Sequence, residues 1–372
     1  MDIAMNTAIG IMSGTSMDAI DVALVTTDGA DRITTGGFRA YPMPPALRRA
    51  LLAVIADPSQ AEHGNLDALE REVSDAHADA AAQFLQDEGL AASAIDLVGL
   101  HGQTVFHAPQ RRFTRQLGLG QRVADRLGID VVNRFRHNDV AAGGQGAPLV
   151  PLYHQALVRA GGITGPVAVL NLGGVANITF VDGDTVLACD TGPGSALIDD
   201  FMLKRRGEAF DRDGALAASG RVDEEVLRTL MDNPFFAAPP PKSLDRNEFH
   251  RRAQAVDGLS DADGAATLTA FTVEATAAIL PHLPRPPARW LVTGGGRLNA
   301  SFMTRFQARF GVPVDPVDSV GWNGDALEAQ CFGWLAVRSV RGLPLSLPST
   351  TGVSEPLTGG AFSAHRRTAK PL

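Results

Sequence analysis

The apolar and polar positions along the chain predict an α/β protein. Residues 8–13 (Ala-Ile-Gly-Ile-Met-Ser) form an apolar run of strand length, and a second run near 20–26 follows the turn Gly14-Thr15-Ser16. Asp28-Gly29 and Gly36-Gly37 mark further turns, so the chain opens as a meander. Over 44–57 and 66–87 the apolar positions recur at helical spacing. Residues 97–100 predict a short strand ending in His101-Gly102-Gln103-Thr104, 121–127 a short helix, and Val131-Val132 the start of another strand.

Near residue 161 this texture begins again. Residues 167–170 read as an apolar strand that meets the turn Asn171-Leu-Gly173-Gly174-Val-Ala-Asn177, with strands at 178–181 and 186–189 after it. Ile9-Gly-Ile-Met-Ser-Gly-Thr-Ser and Val167-Ala-Val-Leu-Asn-Leu-Gly-Gly share one plan of strand, small-residue turn and strand. Their repetition predicts two lobes, each offering a glycine turn to a central cleft. The expected division is 1–133 and 134–372, with the C-terminal tail returning to the first lobe. A third turn, Thr293-Gly294-Gly295-Gly296, follows the strand-like Trp290-Leu-Val and precedes helical spacing over 297–310. That geometry aims free N–H groups at an anion or nucleotide. A last amphipathic helix is predicted over 326–338.

Composition narrows the chemistry. The chain has 372 residues, with 45% apolar and 20% charged residues and a formal charge of −8. This is globular composition, and the net charge argues against a general nucleic-acid binder. Two cysteines, Cys189 and Cys331, support neither a disulfide framework nor a four-cysteine zinc site, and the expected location is cytoplasmic. No basic region precedes Arg32, no signal peptide is expected, and no uncharged apolar run predicts a membrane span. Only three lysines (Lys204, Lys242, Lys370) stand against thirty arginines, and none lies in a Walker A loop. Glycine is abundant, at 39 residues. Phosphate would therefore be held by turn amides, hydroxyls, arginine and a metal ion.

Each candidate turn has a chemical and a structural reading. Gly14-Thr15-Ser16-Met17-Asp18 is either a phosphate nest with Asp18 near a metal, or a tight hairpin. Asp190-Thr-Gly192-Pro-Gly194-Ser195 offers a carboxylate as general base, or one that satisfies turn amides. His101 and His107 bracket Gln103-Thr104 and are ligand groups or core histidines. Arg134, Arg136 and Asp139 precede Gly143-Gly-Gln-Gly146 and suit a carboxylate or phosphate, or form surface ion pairs.

The order of these motifs, together with Gly143-Gly-Gln-Gly-Ala-Pro148, Pro241-Lys-Ser243, Asn299 and Asp325-Ala-Leu-Glu-Ala329, resembles the sugar kinase, actin and heat-shock chaperone superfamily. Within it the chain looks like the anhydro-N-acetylmuramic acid kinase family, from about residue 8 to 362. The resemblance implies an α/β, two-lobed actin-like ATPase fold of duplicated ribonuclease H type, with mixed sheets flanked by helices around a central cleft that closes on ligand. It implies an ATP- and Mg²⁺-dependent kinase that opens the 1,6-anhydro ring of anhydro-N-acetylmuramic acid and phosphorylates O6, in cell-wall recycling. Asp190 matches the family's general base. Gly14, Thr15, Ser16, Met17, Asp18, Ala19, Ile20 and Asp21 match its ATP phosphate loop, and Gly173, Gly174 and Asn177 a second one. Gly294, Gly295, Gly296 and Asn299 would meet adenosine or ribose. His101, Gln103, Thr104, Arg136, Gly192 and Gly194 would line the sugar pocket, with Arg136 on the lactyl carboxylate. Asp18 and Glu328 are the candidate metal ligands. The expected partners are a small-molecule amino sugar and a second copy in a homodimer, with no nucleic acid and no membrane.

Three positions depart from the family pattern. Ser195 replaces an asparagine, Leu244-Asp-Arg246-Asn247 replaces Thr-Gly-Arg-Glu, and Leu119 replaces the acid of a Gln-x-Gly-Asp segment. The alternative readings are a same-fold kinase for another hexose or amino sugar, and an actin-like nucleotide-switched binding protein.

Overall fold

The computed structural model describes residues 4–366 except 15 and 245–248, and the chain folds into two compact units. The first runs through Ala160 and takes in the chain from Ala326 onward; the second spans Gly161–Asp325.

The first unit is built on a mixed sheet. Strands β1 (Asn6–Ser13), β2 (Ala19–Thr27) and β3 (Ile33–Pro42) form the antiparallel meander. Strand β4 (Leu97–Leu100) pairs parallel with β1. A separate hairpin of β5 (Gln103–Ala108) and β6 (Phe113–Leu117) follows, and β7 (Val131–Asn133) then pairs parallel with β4. A closing strand, Ala361–Ser363, adds antiparallel to β7. Ile9 and Ile11 of β1 point into one core with Val22, Leu100 and Phe84, the last from the helix Asp67–Asp87.

The opposite face of this sheet carries the helix Leu327–Val340 at unusually close range. A β-carbon on Gly10 of β1 would run into the Ala329 carbonyl, and one on Gly99 of β4 into the Phe332 carbonyl. Gly333 answers from the helix, where a β-carbon would lie 2.8 Å from the Val25 side chain and 3.1 Å from Gly10 N. Helix and sheet therefore touch backbone to backbone. Trp334 Nε1 donates to the Ala30 carbonyl at 3.0 Å and Arg338 Nη1 to the Gly29 carbonyl at 2.7 Å, fastening the helix along its length.

The second unit repeats the plan. Strands β8 (Val167–Leu172), β9 (Val175–Asp182) and β10 (Thr185–Pro193) are antiparallel; β11 (Arg289–Thr293) and β12 (Val314–Pro316) add in parallel beyond β8. The order β10-β9-β8-β11-β12 reproduces β3-β2-β1-β4-β7. The duplicated ribonuclease H-like plan expected from the sequence is thus present in the topology. Phe180, Phe271, Trp290, Phe302 and Phe306 fill the core, and Trp290 stacks on Phe310 with ring centroids 4.0 Å apart. The stretch Asp261–His282 is long and apolar enough to cross a membrane, but 78% of its apolar window is buried inside the fold. It is a core helix, apolar on all sides because neighbours surround it.

Three expectations are corrected. The division at 133/134 falls inside the first unit, because the helices His137–Ala141 and Pro151–Ala160 belong there; Tyr153 Oη donates to Gln330 Oε1 at 3.2 Å. Helix does not begin at 297: Gly295–Leu298 is a 3₁₀ turn, and the helix Ala300–Phe310 starts after Asn299, whose Oδ1 accepts from Ser301 N and Phe302 N. Asp190 is not at a strand end, since β10 continues to Pro193 through an irregularity between Asp190 and Gly192.

The helix–sheet contact gives a direct test. Gly10→Ala should destabilise the protein by about 1–3 kcal/mol through overpacking. Gly258→Ala, where nothing lies within 4 Å of the added carbon, should stay within about 0.5 kcal/mol of wild type. Thermal and denaturant midpoints of the two variants check this.

Candidate active site

In the first unit the glycine turn leaves β1 at Ser13. Ser13 Oγ donates to Nε2 of buried His77 at 3.1 Å, and His77 Nδ1 donates to the Val73 carbonyl at 2.7 Å. Burial pulls the His77 pKa down to about 4, so it is neutral and can accept. Gly14 O accepts from Met17 N at 3.2 Å, closing the turn, and Met17 takes a left-handed φ of 54° with its side chain in the core. A buried non-glycine residue held in that region is local strain fixed by packing. Ser16 and Asp18 are exposed. Arg48, from the helix Pro45–Ala56, donates to the Ser16 carbonyl and pairs with Asp18, each at 3.2 Å. Its place on the turn is 30 residues distant in sequence, and no local motif announces it. Thr15 lies outside the described residues. Ala19, Ile20 and Asp21 are in β2 and not in the turn, and Ile20 is a core side chain.

Beside this turn the first unit gathers His101, Gln103, Arg136 and Glu328. Gln103 Nε2 donates to Gly14 O at 3.4 Å, while its buried Oε1 has no partner among the described residues. Thr104 Oγ1 accepts from Gln116 Nε2 at 3.3 Å. Arg136 Nε donates to His101 Nε2 at 3.1 Å and Nη1 to the Gly146 carbonyl at 2.6 Å. The His101 proton is therefore on Nδ1, which is buried and makes no hydrogen bond among the described residues. Burial, reinforced by Arg136, keeps His101 neutral. Its ring packs against that of Phe332, with centroids 4.5 Å apart and the planes tilted by 37°. Glu328, in the first turn of Leu327–Val340, has its pKa raised by burial, with Arg136 partly opposing the rise. Arg136 and Glu328 are thus electrostatically coupled in a dry setting.

Two other sequence candidates turn out to be scaffolding. Asp139 Oδ1 accepts from Gly146 N and Oδ2 from Thr351 Oγ1, both at 2.6 Å, which secures the glycine loop. His107 is bonded at both nitrogens, to Thr114 Oγ1 and the Gln145 carbonyl, each at 2.9 Å. Arg134 is exposed at a φ of 58°.

In the second unit Asp190 is half-buried on β10. Asp190 N donates to the Lys242 carbonyl at 3.0 Å, and Leu244 N donates to Asp190 Oδ2 at 2.8 Å. Burial pushes its carboxyl up to about 6 even though the Leu244 N–H favours the charged form. The other oxygen accepts no hydrogen bond among the described residues. Gly194 N and Ser195 N donate to the carbonyls of Gly174 and Gly173 at 3.0 and 2.8 Å, and a β-carbon on Gly194 would strike the Gly173 carbonyl. The carbonyls of Gly173-Gly174 therefore cap the helix Ala196–Arg206. Gly174 itself is exposed, and Asn177 sits opposite Asp190 in the β9–β10 register. A β-carbon on Gly192 would lie 2.8 Å from Ala275. Ser195 Oγ donates to Asp199 Oδ2 at 2.8 Å, so the serine acts within its own helix.

The third glycine turn has a structural reason as well. Gly294, at a φ of 79°, and Gly296 both press against Leu172 of β8, while Gly295 faces open space. Arg297, its side chain 4% exposed, bonds Asp318 at 2.9 Å and Asp325 at 2.8 Å, and donates to the Gly294 carbonyl at 3.2 Å. Asn299 is primarily a helix cap. Leu119 also occupies an N-cap position, of the helix Gly120–Leu127, and offers no side-chain acceptor. An acid there would act as a cap, so its loss bears on helix stability. Of the 244–247 departure, residues 245–247 lie outside the described residues.

No group of three or more His, Cys, Asp or Glu residues able to hold a metal is present among the described residues. Mg²⁺ commonly takes only one or two protein carboxylates beside substrate phosphates. Exposed Asp18, paired to Arg48 through one oxygen, fits such a sparse donor set.

A family model described as Anhydro-N-acetylmuramic acid kinase matches residues 6–364. A relative of that name from Rhodopseudomonas palustris (strain BisB18) is 51% identical over 365 residues, covering 96% of this chain and 99% of its own. Another from Acidiphilium cryptum (strain JF-5) is 53% identical, with 95% and 97% covered. Among solved structures, (R)-2-hydroxyglutaryl-CoA dehydratase component A from Acidaminococcus fermentans is similar at 12% identity and a TM-score of 0.48, over 89% of this chain and 99% of that one.

The raised carboxyl predicts a stability effect with a definite sign. A carboxyl that titrates near 6 when folded and near 3.8 when unfolded binds more protons in the native state across that window. It destabilises the fold increasingly as pH rises from about 4 to 6, and fully above that. Asp190→Asn keeps an acceptor for Leu244 N and should stabilise the protein by about 3 kcal/mol at pH 7–8. That gain should vanish below about pH 4. Unfolding midpoints across pH check both the sign and the window.

Proposed function

The chain belongs to the anhydro-N-acetylmuramic acid kinase family, and from that premise we propose which residues carry its reaction. It is an ATP-dependent kinase that opens the 1,6-anhydro ring of anhydro-N-acetylmuramic acid and phosphorylates O6, giving N-acetylmuramate 6-phosphate and ADP in peptidoglycan recycling. A cytoplasmic site of action fits its use of ATP.

The observation that carries the residue assignment is Asp190. Its carboxyl titrates near 6, one oxygen is engaged by Leu244 N, and the other accepts nothing among the described residues. Near neutral pH it is ionised yet close enough to the operating pH to take a proton, as a general base needs. Asp190 accepts a proton from water as the water oxygen bonds to C1. The C1–O6 bond breaks and O6 attacks the γ-phosphorus. The O6–P bond forms as the bond to the β,γ-bridging oxygen breaks, and ADP leaves. The proton on Asp190 passes to solvent.

Phosphoryl transfer asks chiefly for positioning and charge neutralisation. The turn Gly14–Asp18 supplies backbone amides and the Ser16 hydroxyl for ATP phosphates, with Arg48 adding charge, and Gly173-Gly174 and Gly294–Gly296 supply the other backbone contacts. Mg²⁺ bound with ATP would neutralise phosphate charge, and Asp18 is the residue we assign to it, with Glu328 the second candidate. On the sugar, the free end of the Arg136 guanidinium suits the lactyl carboxylate. His101 Nδ1 and Gln103 Oε1, a donor and an acceptor left unpaired, suit hydroxyl or N-acetyl groups.

Asp190→Asn is expected to abolish formation of sugar phosphate, followed by phosphorus NMR or mass detection, while ATP binding by calorimetry stays intact. Wild-type turnover should fall on the acid side with a midpoint near 6. Wild-type activity in the variant would refute the base assignment. Arg136→Ala should raise the KM for the sugar by about tenfold or more, the loss of one charge-assisted contact, and spare the KM for ATP. The reverse pattern would remove Arg136 from the sugar site.

A further inference from the structure

Strand β10 is an edge strand of its sheet. An edge carboxylate has no neighbouring strand to fix its backbone or side chain. At Asp190 that neighbour is supplied by residues 242–244, which accept from its main chain through Lys242 O at 3.0 Å and donate to its side chain through Leu244 N at 2.8 Å. The segment is itself held by its lysine. Lys242 Nζ donates to the Phe235 carbonyl at 2.8 Å and lies 4.5 Å over the Phe235 ring. Phe235 packs edge-on against Phe236, with centroids 5.7 Å apart. A β-carbon on Gly192 would in turn lie 3.3 Å from the Phe236 ring. One chain of contacts thus joins the lysine, the aromatic group and both flanks of Asp190.

We infer that Lys242 is a positioning residue for Asp190, anchoring residues 242–244 so that one carboxylate oxygen is tied to the main chain and the other is left for the attacking water. The inference rests on the reading of Asp190 as the base, and deepens it. Lys242 acts through its backbone and not its charge, because its ammonium is directed to Phe235. Among the described residues, the titratable groups adjoining Asp190 are Cys189, whose thiol burial pushes up to about 12, and Lys242 itself, which burial pulls down. Cys189 keeps its charge state across the acid limb of the reaction. A lysine over an aromatic ring and bonded to a carbonyl in a half-buried site is an anchor worth more than an exposed one.

The test compares Lys242→Met with Lys242→Arg in the full chain. Protein carrying ¹³C at the aspartate carboxyls reports the Asp190 titration by NMR, with Asp190→Asn identifying the signal. Lys242→Met should raise the Asp190 titration midpoint, because the Leu244 N–H that favours the ionised form is released. It should lower kcat at least tenfold and leave the KM for ATP within twofold. Lys242→Arg, which keeps a donor and a cation over Phe235, should restore most of both. An unmoved titration with kcat within twofold of wild type in Lys242→Met overturns the proposal. Should that variant not fold, Leu244→Pro deletes the N–H itself and decides the point by the same titration and kcat. A silent Lys242→Met beside an inactive Asp190→Asn overturns the positioning role alone, whereas an active Asp190→Asn removes the base reading and this inference with it.

Discussion

The first unit depends on how closely the helix Leu327–Val340 lies on its sheet. Gly10 and Gly99 leave no side chain between two backbones, and Gly333 answers from the helix. That contact fixes more than stability. Phe332 sits on the helix and packs against His101, His101 accepts from Arg136, and Glu328 occupies the helix's first turn. A shift of the helix would carry Glu328 and Phe332 with it and disturb the hydrogen bond that sets the His101 tautomer. Packing on one face of the sheet is in this way coupled to the polarity of the cluster beside the glycine turn.

The second unit uses its glycines differently. The carbonyls of Gly173 and Gly174 satisfy helix N–H groups, and Gly294 and Gly296 let a turn lie against β8. These are structural demands that any ligand role must share. Of these turn glycines, Gly174 and Gly295 are exposed. Arg297 then fixes the third turn through two aspartates and a carbonyl. A guanidinium does not titrate in the physiological range, so this turn keeps its charge where Asp190 is tuned to change.

Much of the fold was legible because the central strands are continuous apolar runs bounded by glycine turns, as at 97–100 and 167–170. Parallel strands buried on both faces read that way. The hairpin of β5 and β6 was not read, since Gln103, Thr104 and His107 break the apolar pattern. The return of the helix Leu327–Val340 was expected only as part of a tail, because nothing local in 326–340 says which sheet it meets; the glycines at 10 and 99 carry that information in retrospect. Asp190 stood out through its glycine-rich setting. Arg48 and the Lys242 anchor were invisible as roles, because each exists only through contacts across tens of residues. His107 and Asp139 admitted both a chemical and a structural reading, and their polar atoms are taken up by neighbouring loops.

The division of the chain also bears on its synthesis. The second unit is contiguous, whereas the first is completed only by residues beyond Ala326. Domains are commonly finished in order from the N-terminus as the chain emerges. Here the order is reversed: the sheet made first waits, with its glycine-lined face bare, until the chain beyond Ala326 has been translated. The nascent chain therefore holds an incomplete N-terminal part together with a finished insert, and premature termination before the helix Leu327–Val340 would strip the first unit of one whole layer.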